Sequence, residues 1–221
     1  MQDIEKFIKG FCRFQKQYLS EPAMFDSLRK GQSPCTLVIG CCDSRVDPVL
    51  LTGSDPGDMF VVRNIANLVP PCTTDASTGV SSAIEFAVCG LEVERIIVLG
   101  HAHCGGIRAL MSPKKLTSET DFVARWMRIA EPVRQSVLQE LKYKSVDAQY
   151  RACEMASILH SLDNLLTYPW IKRRVEQGNL ALHGWYFDIE SGALLAYSPR
   201  KQEFLNLVCP LEESEAAKAA A

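Results

Sequence analysis

Several things are missing from this chain of 221 residues. It has no apolar run near 18 residues, so no segment is expected to span a membrane. Its formal net charge is only −2, which excludes the basic footprint of a nucleic-acid binder. The first residues, Met1 to Lys9, carry charges throughout and do not read as a secretory signal. No internal repeat is present. What is plentiful is cysteine: nine, a high and odd number. Without a secretory signal, and with most of these cysteines inside apolar runs or helical patterns, they read as free thiols and metal ligands in a reducing compartment, here the cytoplasm. A hydrophobic content of 47% suits one medium-sized core.

Hydrophobic periodicity places Ile4, Phe7, Ile8, Phe11, Phe14, Tyr18 and Leu19 on one face of an N-terminal helix. That face packs either on the chain's own core or, as an arm, on a second subunit. The arm is expected over 1–30, an α/β domain over 31–210, and a low-information Ala- and Glu-rich tail over 211–221. Strand-like runs at about 35–41, 59–64, 95–100 and 180–189 alternate with helical patterns at 78–89, 107–111 and 120–166, the last broken near Pro132 and Ser145, and another helix begins at Tyr168-Pro169-Trp170 and ends at Gln177-Gly178-Asn179. A short strand follows at 193–197. Such alternation predicts an α/β fold: a mainly parallel central sheet flanked by helices, with an N-terminal helical arm.

Two segments carry the chemistry. Cys41-Cys42-Asp43-Ser44-Arg45 follows the strand-like Thr36-Leu37-Val38-Ile39-Gly40, and His101-Ala102-His103-Cys104-Gly105-Gly106 follows Arg95-Ile96-Ile97-Val98-Leu99-Gly100. Ligands of parallel sheets bind beyond the carboxyl ends of strands, so both segments can share one site. Two thiolates and an imidazole are a known catalytic zinc set with a fourth position open. A lone cysteine at a strand end is more often core filler; H-x-x-C at a second strand end shifts the balance toward a metal. Neighbours on extended chain point in opposite directions, so one of Cys41 and Cys42, and one of His101 and His103, faces the ion; the pattern does not choose. Asp and Arg two apart are usually a surface ion pair, but beside a metal ligand Asp43 and Arg45 can orient a bound water.

With these residues in view, the chain resembles the β-class carbonic anhydrases over about residues 25–200. The family patterns C-x-D-S-R and H-x-x-C-G-G stand at Cys41–Arg45 and His101–Gly106; Arg63-Asn64-Ile65-Ala66-Asn67, Asn164-Leu165-Leu166-Thr167-Tyr168-Pro169 and Leu182-His183-Gly184-Trp185-Tyr186-Phe187-Asp188 are also similar. The resemblance implies reversible hydration of carbon dioxide to bicarbonate and a proton by zinc-bound hydroxide. It implies one zinc ion per chain on Cys41, His101 and Cys104, and a catalytic dyad of Asp43 and Arg45. Asp43 then either accepts a hydrogen bond from the hydroxide or briefly becomes a fourth ligand. Gln32, Phe60, Ile65, Phe86 and Gly105 are the implied substrate residues.

The family divides into an open active-site type and one shut by bicarbonate. Gln32, nine residues before Cys41, and Val38 in place of a regulatory Trp imply the open, plant-like type. Phe86 replaces a Tyr of many plant members, and Gly90 a His proposed as proton shuttle. A homodimer or larger homo-oligomer is implied, with the pocket at the interface. Two other readings use the same ligands: a zinc hydrolase of carbonyl sulfide or carbon disulfide, and a non-catalytic zinc protein, which would need neither Asp43–Arg45 nor Gln32.

Overall fold

The structure is a computed structural model, and it describes residues 2–73, 78–112 and 119–210. The expected tail at 211–221, residues 74–77 of the loop after Val69, and Met1 lie outside the described residues. The chain forms two units, Met1–Ser33 and Pro34–Ala221.

The first unit holds α1 (Gln2–Ser20) and α2 (Pro22–Leu28). Phe14 meets Phe25 edge-on with ring centroids 5.9 Å apart, and Phe25 is buried. Phe7, Phe11 and Leu19 on α1 remain 65–73% exposed, so the predicted amphipathic helix forms and α2 leaves much of its apolar stripe open.

The second unit runs β1 (Thr36–Cys41), α3 (Pro48–Thr52), β2 (Met59–Asn64), α4 (Gly79–Glu85), β3 (Arg95–His101), α5 (Gly105–Met111), α6 (Phe122–Met127), α7 (Glu131–Glu140), α8 (Val146–Leu165), α9 (Pro169–Glu176), β4 (Ala181–Asp188), β5 (Ala193–Ser198) and β6 (Glu203–Val208). The six strands form one sheet in the order β2-β1-β3-β4-β5-β6; the first four are parallel and the last two antiparallel. The mainly parallel α/β architecture matches the expectation. Two elements escaped the pattern reading. The short helix α3 starts at Asp47, whose carboxylate accepts from the N–H groups of Val49 and Leu50 at 3.1 and 3.3 Å, with Pro48 in the first turn. The edge strand β6 leaves Leu207 and Val208 exposed, so it lacks the buried face that alternation reveals. The breaks in the long helical region are real: a 3-10 turn precedes Pro132, and Ser145 caps α8 by accepting from the Ala148 N–H at 3.2 Å.

The main core, including Leu37, Ile39, Ile96, Val98 and Ile158, lies between one sheet face and the helices. Here α8 presses directly on the sheet. A Cβ on Gly100 would sit 2.7 Å from Ile158 Cδ1, so only glycine allows this approach. That contact fixes the position of α8 beneath the carboxyl end of β3, where His101 stands.

Gly100→Ala is therefore expected to destabilise the fold by about 2 kcal/mol through overpacking, lowering the thermal midpoint by about 4–8 °C. Calorimetry checks this, and an unchanged midpoint would mean that α8 shifts freely.

Candidate metal centre

Parallel register brings the two motifs together. Gly40 of β1 lies opposite Leu99 of β3, so Cys41 and His101 end their strands within one residue of the same level. The chain then turns, and Cys104 precedes α5 as its N-cap residue. Among the described residues, the ligand atoms of Cys41, His101 and Cys104 form a buried group, all within 4.8 Å of one another. The sulfurs of Cys41 and Cys104 are 3.9 Å apart. Two sulfurs held at about 2.3 Å from a tetrahedral zinc would be about 3.8 Å apart, so the spacing fits. His101 Nδ1–H donates to the Ala102 carbonyl at 2.9 Å, which leaves Nε2 as the basic nitrogen, and this buried atom has no protein partner. An orphaned imidazole nitrogen beside two thiols is a donor set that could hold a metal ion such as zinc.

The electrostatics favour an anionic Cys41. Hydrogen bonding from the Cys104 thiol outweighs burial and holds the Cys41 thiol below its usual range. Cys104 is pushed up by the same contact and by burial, although the Gly106 and Ile107 N–H groups of the α5 N-terminus oppose this. Cys42 and His103, the competing neighbours, point elsewhere. Cys42 is exposed, and burial together with the Cys41 charge raises its thiol above the usual range. The His103 ring lies between Glu190 Oε1 at 2.6 Å and the Arg108 guanidinium at 2.7 Å.

Asp43 and Arg45 form a two-pronged pair. Arg45 Nε donates to Oδ1 at 2.9 Å, a guanidinium nitrogen donates to Oδ2 at 2.7 Å, and the Arg45 backbone N–H adds a bond to Oδ1 at 3.0 Å. Arg45 hydrogen bonding outweighs burial and holds the Asp43 carboxyl well below the usual range. The same guanidinium reaches the His103 carbonyl at 3.2 Å, tying one motif to the other. Asp43 stands outside the three-ligand group.

Beside the ligands lies a cavity of about 270 Å³, lined by Cys41, Cys42, Asp43, Ile65, Gly105 and Val123, among others. Ile65 and Gly105 are thus placed together. Phe60 and Phe86 are not: they stack on each other with centroids 5.8 Å apart. Phe60 pairs with Leu37, four residues before the Asn64–Cys41 pair, or about 13 Å along the strand. Gln32 is exposed and belongs to the N-terminal unit.

Other residues that shape the site escaped the sequence reading. Arg63 clamps the first loop, donating to the carbonyls of Cys41 at 2.8 Å and Asp43 at 2.7 Å while pairing with Asp47 at 2.7 Å. Ala66 and Asn67 sit at φ 62° and 47°, a left-handed turn pinned by Asn64, whose side chain bonds both the N–H and the carbonyl of Leu68 at 2.9 Å. Trp126 donates to the Ile65 carbonyl at 2.8 Å. A Cβ on Gly106 would meet Ile65 Cγ2 at 2.7 Å, so this glycine lets α5 approach the cavity wall. Glu154 accepts from the Cys104 N–H at 3.0 Å. Arg63, Asn64, Ala66, Asn67 and Gly106 stand in the family-like segments, but nothing in those segments gave them these roles; a lone Trp or Glu in a helical pattern carries no such signal.

A family model described as "Carbonic anhydrase" matches residues 36–194. Over 179 residues the chain is 43% identical to the chloroplastic β carbonic anhydrase 5 of Arabidopsis thaliana, covering 80% of this chain and 59% of that relative. It is similar in structure to the β-carbonic anhydrase CcaA, with a TM-score of 0.87, 36% identity and coverage of 96% of this chain and 94% of that one. Tetrameric β-carbonic anhydrases from the ascomycete Sordaria macrospora align with a TM-score of 0.78 and 26% identity, covering 96% of this chain and all of theirs.

In an Arg45→Met protein the Asp43 carboxyl is expected to titrate closer to the ordinary value of about 4. Because the native pair lowers this pKa, its stabilisation is present above that ordinary value and is lost as pH falls further; the variant should lose less stability on acidification. Carbon-13 carboxyl shifts through an acid titration read the change, and a pKa that stays as low as in the parent would assign the effect to the backbone N–H alone.

Proposed function

We propose that this chain, which belongs to the β-carbonic anhydrase family, hydrates carbon dioxide reversibly to bicarbonate and a proton at the Cys41–His101–Cys104 centre. The observation that carries this reading is the juxtaposition of a buried three-ligand group with the Arg45-bound Asp43 carboxylate beside a small apolar cavity. Cys41, His101 and Cys104 would hold zinc. When bound, the ion supplies the Lewis acidity that brings the pKa of a water molecule toward about 7.

The remaining work falls to the chain's own residues. Asp43 is ionised at neutral pH and so only accepts hydrogen bonds. A carboxylate offers about four lone-pair sites, and Arg45 fills three of them. The one that remains can accept the O–H of the attacking water and turn its lone pair toward carbon. Arg45 keeps the carboxylate in that orientation and off the metal, which is the open arrangement. Ile65, Gly105 and Val123 offer an apolar wall to carbon dioxide, whose carbon is the electrophile. Gln32 is assigned, by the family pattern, as an amide donor to a substrate oxygen. The released proton passes to buffer.

Phe60 stands four residues along β2 from the Cys41 level with Phe86 packed against it, and neither lines the cavity of its own chain. We assign them to the cavity of a second copy, so that the working unit is a homodimer or a larger assembly, as in the tetrameric relatives. All nine cysteines are free thiols, which suits the cytoplasm; the Arabidopsis relative is chloroplastic.

Stopped-flow hydration assays on zinc-quantified protein between about pH 6.5 and 9 test the reading. Activity across that range is expected, with Asp43→Ala reduced roughly 100-fold at unchanged zinc content. Activity confined to high pH would mean that Asp43 closes onto the metal. An Asp43→Ala enzyme with full activity would overturn its role, and turnover of carbonyl sulfide in place of carbon dioxide would overturn the substrate.

A further inference from the structure

The turn that carries His101 and Cys104 is strained. His103, between them, adopts φ 58°, a left-handed conformation that costs free energy in a non-glycine residue. Such a turn persists only if the surroundings hold it. Two anchors act on its outer side: Arg45 on the His103 carbonyl, and Glu190 with Arg108 on the His103 ring. A third acts from the interior, on the ligand residue itself. Glu154 Oε1 accepts the Cys104 N–H at 3.0 Å, and Oε2 accepts the Tyr186 hydroxyl at 2.8 Å.

Glu154 is an unusual occupant of its position. The other buried residues on its face of α8, such as Ser157, Ile158, Ser161 and Leu165, are neutral. Burial opposes the charge of Glu154 more strongly than its hydrogen bonds support it. A glutamate kept there, only 5% exposed, offers acceptor oxygens that an apolar side chain does not. Both of its oxygens are used, and both partners are fixed. Tyr186 lies fully buried on β4 with the Arg151 guanidinium over its ring at 5.2 Å, and Arg151 is in turn bonded to Asp188 at 3.0 Å. The Ile158–Gly100 contact, one turn along α8, fixes how far Glu154 projects beneath the metal loop.

We propose that Glu154 is a positioning residue of the metal centre: by holding the Cys104 N–H it aims the Cys104 sulfur at the ion and sets how tightly zinc is retained. It lies outside the three-ligand group and outside the lining of the cavity beside it. The inference rests on the metal-centre reading above.

The test uses the full-length, zinc-loaded protein. Zinc release to excess 4-(2-pyridylazo)resorcinol is timed at neutral pH, and the sulfur-to-cobalt charge-transfer band is recorded after exchange for cobalt(II). Glu154→Ala removes the acceptor and should release zinc about 10- to 100-fold faster, with a shifted cobalt band. Glu154→Asp, which withdraws the carboxylate by about 1.5 Å, should do the same to a smaller degree and stands in if the alanine variant does not fold. Glu154→Gln keeps an oxygen for the Cys104 N–H and should restore slow release. Ile158→Val, which loosens the same helix without touching the loop, should leave the cobalt band in place. Folded Glu154→Ala or Glu154→Asp proteins that release zinc at the parent rate overturn the proposal, as does an Ile158→Val protein that shifts the band equally. A parent protein that takes up no zinc overturns the metal-centre reading itself.

Discussion

The in-register pairing of two parallel strands is the constraint on which the rest of this molecule depends. β1 and β3 end at the same level of the sheet, so two short motifs separated by sixty residues deliver one cysteine and one histidine to the same point. A slip of β1 by one residue would turn Cys41 to the opposite face of the sheet and bring Cys42 round in its place. The register is protected by its surroundings: β1 and β3 are almost wholly buried, so a slip would exchange the side chains facing the core for those on the other face.

Concentrating polar and ionisable groups at the end of a buried sheet is costly unless each is matched. The matching is done by residues outside the ligand set. Arg63 satisfies two carbonyls of the first loop while neutralising Asp47, which in turn caps α3. Asn64 imitates a backbone partner for Leu68 and so stabilises two consecutive left-handed residues. Trp126 from α6 satisfies the Ile65 carbonyl, and Glu154 from α8 satisfies the Cys104 N–H. The result is a rigid frame in which one nitrogen, Nε2 of His101, is left without a protein partner beside two sulfurs.

The sheet holds the Cys41–His101–Cys104 group and an aromatic pair at separate places. The ligands and the Asp43–Arg45 pair lie at the carboxyl end of the strands, whereas Phe60 sits near the opposite end of β2 against Phe86. The open apolar stripe of α1 is consistent with a chain built to associate.

The α/β class, the four parallel strands, the breaks at Pro132 and Ser145, and the two metal motifs could all be read from the amino-acid order. Each is a local pattern: a run of buried β-branched residues, a cap, or ligands a few positions apart. Local chemistry left Cys41 or Cys42 and His101 or His103 open, because adjacent residues are chemically alike and differ only in which way the backbone turns them; the family resemblance pointed to Cys41 and His101, and the structure groups these two with Cys104. The roles of Arg63 and Glu154 were hidden for a different reason. An arginine in a strand and a glutamate in an amphipathic helix look like ordinary surface residues until folding carries them against loops 22 and 50 positions away. The sequence by itself thus determined which atoms are available to hold a metal and shape a reactive pocket. Only the tertiary structure decided which of them meet, because hydrogen bonds of about 3 Å between distant segments depend on strand register and helix packing that no local pattern encodes.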